Sequence, residues 1–277
     1  MSNLIYNRNR LRVSENFDND IQIFGSSSSG NSIYFKKARV IIDLGFPYKR
    51  YFEYDPNLFL KVDYIMLTHE HSDHLNVATL LKICEVYPNV KILIPINMWN
   101  DMLDPEFIRK RKINIKRLVN IKNHIIKTTG SLQLVNSQNM IINYLPHVTA
   151  HGPITNCAIE LVYDKVHLLY ASDLDSYSPD ESRHTQGLPQ DEQNKFDIIC
   201  LEANYDENIL YNYIQTHPAS FRAKENLRHT SEQTAWKYVE RFLKPTGIFI
   251  PLHASHAFGT LWQDLDGNYN TESGVNN

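Results

Sequence analysis

Four side chains that commonly bind metal ions lie close together between His69 and His74. His69, His71, Asp73 and His74 follow the pattern H-x-H-x-D-H, directly after the largely apolar residues 62–67. Imidazole and carboxylate groups bind Zn²⁺ and Mn²⁺, and a site for two ions about 3.5 to 4 Å apart needs several of them in a small space. A strand that ends in a tight turn would provide them. The pattern therefore predicts a centre for two divalent ions, Zn or Mn, in which Asp73 is also a catalytic residue.

A two-metal site needs more ligands than one turn provides, and later strand ends offer them. His151, Asp173 and His253 each follow an apolar run that predicts a strand, and His151 is expected in a loop between two strands. The two oxygens of a carboxylate can bridge two cations, which is the role expected of Asp173. Three alternatives stay open: His147 in place of His151, Asp175 in place of Asp173, and His256 in place of His253.

Apolar runs predict strands and helices in two similar halves of the chain. Three short strands separated by Gly/Ser turns come first, and a helix follows the ligand turn and ends before Pro88. The predicted strands cover residues 21–24, 32–35, 40–43, 90–95, 140–145, 158–163, 166–170, 198–202 and 247–251, and the predicted helices cover residues 75–87 and 232–243. This order indicates an α/β protein with two sheets face to face and helices outside, a four-layer αββα sandwich with its metals at one sheet edge.

Length and composition favour one large domain. The chain has 277 residues and is 42% hydrophobic, which is enough for a sizeable core. The domain is expected over residues 21–262, after an N-terminal segment at 1–20 and before a disordered polar tail at 263–277. The polar residues 176–195 are expected to form a lid or an insertion.

The composition also predicts a cytoplasmic protein without a membrane partner. No apolar stretch reaches the ~18 residues of a membrane span, and residues 1–20 lack the apolar core of a signal peptide. Cys84, Cys157 and Cys200 lie far apart, each in apolar sequence, which predicts buried free thiols. Such thiols suit a reducing compartment.

Basic residues cluster in two parts of the chain, although its formal net charge is −3. Residues 109–112 are all basic, and further cationic residues follow as far as Lys127. A solvated helix face and a contact with phosphate groups both explain this stretch. Arg222, Lys224 and Arg228 form the second cluster, where they would add positive charge for a polyanionic substrate.

Residues 25–31 form the Gly/Ser-rich stretch G-S-S-S-S-G-N. Its backbone amides could cradle an anion, with Ser27, Ser28 and Asn31 contacting the substrate. A tight serine-rich turn is the alternative.

Several of these motifs together resemble the metallo-β-lactamase superfamily, in particular its YycJ-like branch of bacterial and phage nucleases. The resemblance covers residues 20–260 and rests on the ligand turn, on residues 25–31, and on the segments I-I-D-L-G, L-E-A-N and H-T-S at residues 41–45, 201–204 and 229–231. Two departures stand out. Tyr205 replaces a histidine of that branch, and Gly152-Pro153 follow His151 where the branch has Asp-Ala.

The resemblance implies a fold, a ligand set and a proton donor. It implies the metallo-β-lactamase form of the αββα sandwich. The segment that begins at His229 resembles the His-x-Thr/Ser element of a relative, the tRNA 3′-processing ribonuclease. His229 would then donate a proton to the leaving oxygen or hold the phosphate. The implied ligands are His69, His71 and His151 for one ion and Asp73, His74 and His253 for the other, with Asp173 bridging.

The expected function is metal-dependent hydrolysis of a phosphodiester by a hydroxide that two metal ions activate. The resemblance implies a nuclease acting on DNA or RNA, for which a 5′-exonuclease is one form. A phosphodiesterase of cyclic nucleotides or other small molecules is the alternative, and a non-catalytic binding protein is less favoured. The expected partner is thus a nucleic acid or a nucleotide phosphodiester, and a homodimer is a candidate assembly.

Overall fold

The computed structural model describes residues 20–152, 154–255 and 257–260, and within them the strands form two six-stranded sheets. The first sheet contains, in order across the sheet, β1 (Ile21–Ser27), β2 (Gly30–Phe35), β3 (Val40–Ile42), β4 (Tyr64–Met66), β5 (Lys91–Pro95) and β6 (Ile125–Thr128). The second contains β12 (Leu243–Leu252), β11 (Phe196–Glu202), β10 (Val166–Ala171), β9 (Ile154–Tyr163), β8 (Ile141–His151) and β7 (Leu132–Val135). Strands β3 to β6 and β10 to β12 are parallel, and the other neighbours are antiparallel.

The two sheets pack face to face over a shared apolar core. In β3, Val40 and Ile42 face the second sheet and Ile41 faces away from it, because successive side chains of a strand point to opposite faces. Leu161 and Ile250 of the second sheet belong to the same buried cluster as Val40 and Ile42. This core determines which strand ends of the two sheets lie side by side.

Helices cover the outer face of each sheet, which makes four layers. The first half contains α1 (Tyr48–Tyr54), α2 (Val77–Val86), α3 (Ile96–Met102), α4 (Pro105–Lys110) and α5 (Ile115–Asn120), and the second half contains α6 (Glu207–Thr216), α7 (Phe221–Asn226) and α8 (Glu232–Phe242). Leu80 of α2 packs with Ile41 on the first sheet, and Trp236 of α8 packs on Phe249 of the second. The predicted αββα sandwich is confirmed.

The predicted helices at 75–87 and 232–243 correspond to α2 and α8. Each begins after a residue that caps it: the side chain of Asn76 accepts a hydrogen bond from the Thr79 amide, and that of Ser231 accepts one from the Thr234 amide. The other helices were not predicted from the sequence. Most of them are only six or seven residues long, which is too short to show a helical period.

Residues 176–195 pack against the second half of the fold. Tyr177 and Leu188 are buried in the cluster that α8 shares with the second sheet. The Tyr177 hydroxyl donates to the backbone oxygen of Glu202 at 2.8 Å, and the amide of Gln186 donates to the backbone oxygen of Val148 at 2.7 Å. These contacts hold the segment against the second sheet, and its role as a lid or an insertion stays a prediction.

Other expectations concern the chain ends and the thiols. Residues 1–19 and 261–277, which contain the expected N-terminal segment and polar tail, lie outside the described residues. Cys84, Cys157 and Cys200 are buried free thiols, as predicted. Within the described ranges, no helix has the length and apolar character needed to cross a membrane.

Candidate metal centre

The predicted ligands lie where strand ends of the two sheets meet. The turn that contains His69 and His74 follows β4, Asp173 follows β10, and His253 directly follows β12. The predicted loop position of His151 is wrong, since this residue ends β8 and pairs with Ile154 of β9. Strand β8 extends beyond its apolar residues as far as His151 because β9 pairs with it along almost its whole length. The carboxyl ends of these strands thus share one edge, where αβ folds commonly place their sites.

Asp43, at the end of β3, orients the ligand turn from the protein interior. Its Oδ2 accepts hydrogen bonds from His74 Nδ1 at 2.6 Å and from the Tyr170 hydroxyl at 3.0 Å, and its Oδ1 accepts one from the Thr68 amide at 2.9 Å. Because His74 donates through Nδ1, its Nε2 remains for a metal ion. Burial opposes the charged imidazole, but the carboxylates of Asp173 and Asp43 raise the pKa of His74 well above its usual value, so a bound metal ion would displace the proton from Nε2. The sequence analysis assigned Asp43 no role at the site, although it lies in one of the recognised segments.

Close backbone contacts from the first sheet also hold the turn. A Cβ at Gly45 would lie 1.8 Å from the backbone oxygen of Asp73, so only glycine fits there. The Asn31 amide donates to the same oxygen at 2.6 Å, and the Asn31 side-chain nitrogen lies 2.9 Å from His74 Nε2. Asn31 is fully buried. Its hydrogen bonds position the ligand turn, and its contact with the substrate stays a prediction.

His69, His71 and His151 surround one oxygen of Asp173. The distances to Asp173 Oδ2 are 3.5 Å from His69 Nε2, 4.0 Å from His71 Nδ1 and 3.5 Å from His151 Nε2. The Thr68 hydroxyl lies 3.0 Å from His69 Nδ1, which leaves Nε2 of that ring facing the carboxylate. These residues form the first predicted ligand group.

Asp73, His74 and His253 surround the other oxygen of Asp173. His74 Nε2 lies 3.5 Å and His253 Nε2 lies 3.4 Å from Asp173 Oδ1, and Asp73 Oδ2 lies 3.4 Å from His253 Nε2. The side-chain nitrogen of Asn204 donates to the backbone oxygen of His253 at 2.6 Å and so holds this residue in place. The two oxygens of Asp173 thus face two ligand groups, which is the geometry that a bridging carboxylate requires.

The spacing and chemistry of these groups fit divalent ions. Neighbouring ligand atoms of a tetrahedral zinc site lie about 3.3 to 3.6 Å apart, given bond lengths of about 2.0 to 2.2 Å. The distances of 3.4 and 3.5 Å around Asp173 agree with this spacing. Burial opposes the charged carboxylate, but His253 and His74 hold the pKa of Asp173 well below its usual range. Burial also lowers the pKa of His151 to about 3, so its imidazole is neutral and able to bind a metal at pH 7.

The alternative ligands occupy other positions. The Asp175 carboxylate accepts hydrogen bonds from the Gly152 amide at 3.0 Å and from Arg183 Nη1 at 2.6 Å, behind the ring of His151. His147 is bound to Glu160 on the neighbouring strand. His256 lies outside the described residues.

Glu160 of β9 joins His147 to a second histidine, His167. Its two carboxylate oxygens each lie 2.7 Å from the Nε2 atom of one ring. Burial opposes the charge on Glu160, but the two imidazoles lower its pKa to about 2. These hydrogen bonds join β8, β9 and β10 of the second sheet.

We expect Glu160→Gln to lower the free energy of unfolding at pH 7 by about 1 to 2 kcal/mol. A carboxylate whose native pKa is depressed contributes stability above its usual pKa of 4.5 and loses it as the pH falls toward 2. Urea unfolding at about pH 7 and about pH 3.5 measures the difference. Glu240→Gln, at an exposed position of α8, is the matched control. Equal destabilisation of the Glu160→Gln protein at both pH values would contradict this assignment.

His229 and Glu202 form a pair beside both ligand groups. His229 Nδ1 donates to Glu202 Oε1 at 2.6 Å, and the His229 ring centroid lies 5.2 Å from that of His151 and 4.9 Å from that of His253. The amide of Leu174 donates to Glu202 Oε2 at 2.6 Å. Burial opposes a charge on His229, but Glu202 raises its pKa to about 9. His229 is therefore protonated at neutral pH. The sequence analysis recognised the segment that contains Glu202 but gave the residue no role.

A cavity of about 240 Å³ opens beside His229 and His253. Arg222 and Ser28, both predicted to contact the substrate, line it. The remaining lining residues are Asn204, Glu225, Asn226, Ala254 and Ser255. Lys224 is exposed on the same helix as Arg222 but does not line the cavity. The structure therefore places only part of the predicted substrate-binding set at this cavity.

Arg228 and Ser27 lie at two turns near the centre. A Cβ at Gly152 would lie 2.6 Å from Arg228 Nη2, so this guanidinium covers the turn beside His151. The Ser27 hydroxyl accepts a hydrogen bond from the Ser29 amide at 3.2 Å. Strands β1 and β2 are joined there by two residues only. Residues 25–31 thus form a tight serine-rich turn, and the anion cradle expected of their amides stays a prediction.

The basic stretch at 109–127 is mainly a solvated helical surface. Lys110 pairs with Glu106 at 2.9 Å, and the Arg117 guanidinium pairs with Glu85 at 2.6 Å. Arg111 is the exception, because its Nη2 donates to the backbone oxygen of Glu70 within the ligand turn, at 2.9 Å. Arg111 therefore brings positive charge to the side of the centre formed by the first sheet.

Comparisons with known proteins find similarity in structure only. No family model matches the chain, and no curated protein matches its sequence. The crystal structure of the short form of human tRNase Z has a TM-score of 0.54 and 13% identity, over 85% of this chain and 92% of that chain. A diphosphatase of the PhnP family has a TM-score of 0.48 and 15% identity, over 85% of this chain and 86% of that chain. YhfI of Bacillus subtilis, a metallo-β-lactamase fold protein, has a TM-score of 0.44 and 17% identity, over 68% of this chain and 72% of that chain.

At 13% identity, the likeness to tRNase Z concerns the fold and does not extend to the reaction. That likeness covers most of both chains, and it agrees with two six-stranded sheets enclosed between helices and with ligands at one shared edge. The chain has the metallo-β-lactamase fold.

Proposed function

We propose that this protein is a metal-dependent phosphodiesterase, and specifically a nuclease that hydrolyses DNA or RNA with two divalent ions, Zn or Mn. The ligands proposed for the ions are the two groups that share Asp173. The preference for a polynucleotide comes from the resemblance of the sequence to the YycJ-like nucleases. The observation that carries the proposal is the position of His229, which is paired with Glu202 beside both ligand groups at a cavity that Arg222 also lines.

Two divalent ions at this centre would make water acidic enough to provide hydroxide at neutral pH. The protein itself supplies a proton donor and positive charge. Glu202 holds His229 through Nδ1, which leaves Nε2 to donate a proton to the leaving oxygen. Arg222 can bind a non-reacting phosphate oxygen in the same cavity. A proton donor for an alkoxide and a guanidinium for an anion are what hydrolysis of a phosphodiester needs.

A phosphodiesterase of cyclic nucleotides or other small molecules is the second candidate. The volume of the cavity beside His229, about 240 Å³, favours it, because this space suits a single small ligand. Both candidates use the same ligands and the same proton donor, and they differ in how far the substrate extends beyond the cavity.

Salt dependence separates the two candidates. We expect the protein loaded with Zn or Mn to hydrolyse bis-p-nitrophenyl phosphate and to cleave linear DNA or RNA. Its affinity for a strand of about 20 nucleotides should drop at least about tenfold between about 50 and 200 mM salt, because several cationic side chains release counterions from the strand. A cyclic mononucleotide would show only a shallow dependence.

Chelated protein is the control for activity, and it should hydrolyse none of these compounds. Salt-insensitive turnover of a cyclic mononucleotide without cleavage of linear strands would replace the nuclease by the second candidate. Absence of hydrolysis of every phosphodiester by the metal-loaded protein would disprove both.

A further inference from the structure

Helix α7 forms one wall of the cavity beside the candidate metal centre. Arg222, Glu225 and Asn226 line the cavity, and their spacing places them on one face of the helix. Ala223, on another face, is buried in a small cluster with Leu210 of α6. Because α7 is anchored in this way, its outward surface has a defined position relative to the metal ligands.

Phe221, the first residue of α7, is exposed to an unusual degree. Its side chain is 76% exposed, more than any other large apolar side chain that the structure describes. An aromatic ring left in water forgoes the free energy that burial would provide. At this exposure, the ring of Phe221 contributes little to the apolar core of the described residues.

Further rings lie on α6, which packs beside α7, and near Arg222. The Arg222 guanidinium lies 5.7 Å from the ring centroid of Phe258, and on α6 the ring of Tyr213 stacks on that of His217 at 4.2 Å. Tyr211 of α6 is 48% exposed. Helix α6, which packs beside α7, therefore carries exposed or partly exposed rings.

The positive charge of α7 comes from Arg222, which lines the cavity together with Glu225, and from Lys224, which is exposed outside it. Arg222 and Lys224 have no carboxylate within ion-pair distance among residues 20–152, 154–255 and 257–260. Arg228 lies 3.4 Å from Glu225 in an exposed pair, which is weak in water. Unpaired cations beside an exposed ring are the combination that binds single-stranded nucleic acid, since backbone phosphates contact the cations and a base stacks on the ring.

From these observations we infer that helices α6 and α7 bind a single-stranded polynucleotide and lead it to the metal centre. Phe221 stacks on the base next to the nucleotide in the cavity, and Arg222 and Lys224 contact the phosphates on either side. In a duplex the base faces are covered by their neighbours, so this surface selects a single strand or a frayed end. The inference rests on the proposed nuclease function and specifies its substrate as single-stranded.

Substitutions at Phe221 test this surface directly. The metal-loaded protein is titrated with a fluorescent phosphorothioate single strand that resists cleavage, and with a hairpin duplex of the same length. Phe221→Ala should weaken binding of the single strand about tenfold, and Phe221→Trp should keep it, because every base can stack on an aromatic face. Phe221→Leu keeps an apolar side chain without that face and should bind as weakly as Phe221→Ala. Phe52→Ala, which removes another exposed ring far along the chain on α1, is the matched control and should leave binding unchanged.

The outcomes distinguish this inference from the proposed function. Equal affinity of the Phe221→Ala, Phe52→Ala and unmodified proteins for the single strand would overturn it, as would full affinity of Phe221→Leu. A dimer in solution that Phe221→Ala converts to monomers would also overturn it and would make this surface a contact between two copies. Hydrolysis of bis-p-nitrophenyl phosphate by the unmodified protein tests the proposed function separately, because that compound is too small to need a base-stacking residue.

Discussion

Replacement of His71 by alanine should lower the rate of bis-p-nitrophenyl phosphate hydrolysis at least about 10³-fold, since even residues that only support metal ligands contribute about 10- to 100-fold. His71 is the most suitable ligand for this test because its side chain is 36% exposed, so its removal leaves no buried cavity. Asp73→Ala should have the same effect through the other ligand group. Metal analysis should show fewer bound ions than the two per chain expected of the unmodified protein, and circular dichroism should show an unchanged fold.

The control for this prediction is His184→Ala, which removes an exposed histidine that contacts no ligand group. It should keep the full rate and the full metal content. An active Asp73→Ala or His71→Ala protein with a native circular dichroism spectrum would exclude the two-metal reaction.

His229→Ala should slow cleavage of a nucleic acid strand by about 10² to 10⁴, the usual contribution of a general acid or base. Binding of the strand and the metal content should change little, because a proton donor acts mainly in the transition state. The loss should be smaller for bis-p-nitrophenyl phosphate, whose phenolate leaves without protonation. Parallel measurements of kcat with the two substrates test this difference, and an equal loss with both would identify His229 as a phosphate-binding residue instead.

The pH dependence of kcat tests the pairing of His229 with Glu202. The carboxylate raises the pKa of His229 to about 9, so the donor is protonated at neutral pH and is lost as the pH rises through that value. We therefore expect kcat for strand cleavage to fall above about pH 9 and this fall to disappear in His229→Ala. Glu202→Gln removes the charge that raises the pKa, so the fall should move to lower pH while the shape of the side chain is kept. An alkaline limb that is unchanged in both proteins would show that another group titrates there.

The ligand turn and most of the strands were predictable from the sequence, but β6 and β7 were not. His69, His71, Asp73 and His74 lie within one turn, so their proximity follows from their spacing alone and needs no knowledge of the fold. The helix after the turn was predictable for a similar reason, since its apolar period extends over several turns. The short helices α4 and α7 show no such period, and the sequence analysis did not find them.

Other features were decided only by tertiary structure. His147 and His151 are four residues apart on one strand, and nothing in the sequence shows that Glu160 pairs with the first while the second faces Asp173. The role of Asn31 in holding the ligand turn likewise depends on the packing of β2 beside that turn, which buries this residue.

The contacts of two supporting carboxylates, Asp43 and Glu202, were also decided only by tertiary structure. Asp43 lies 31 residues before His74, and Glu202 lies 27 residues before His229, yet each contacts its histidine at 2.6 Å. Spacing along the chain determines the contacts within a turn or a helix, because a few residues have few ways to arrange themselves. Contacts between distant segments depend on how the two sheets pack and align their strand ends, and only the folded chain determines that alignment.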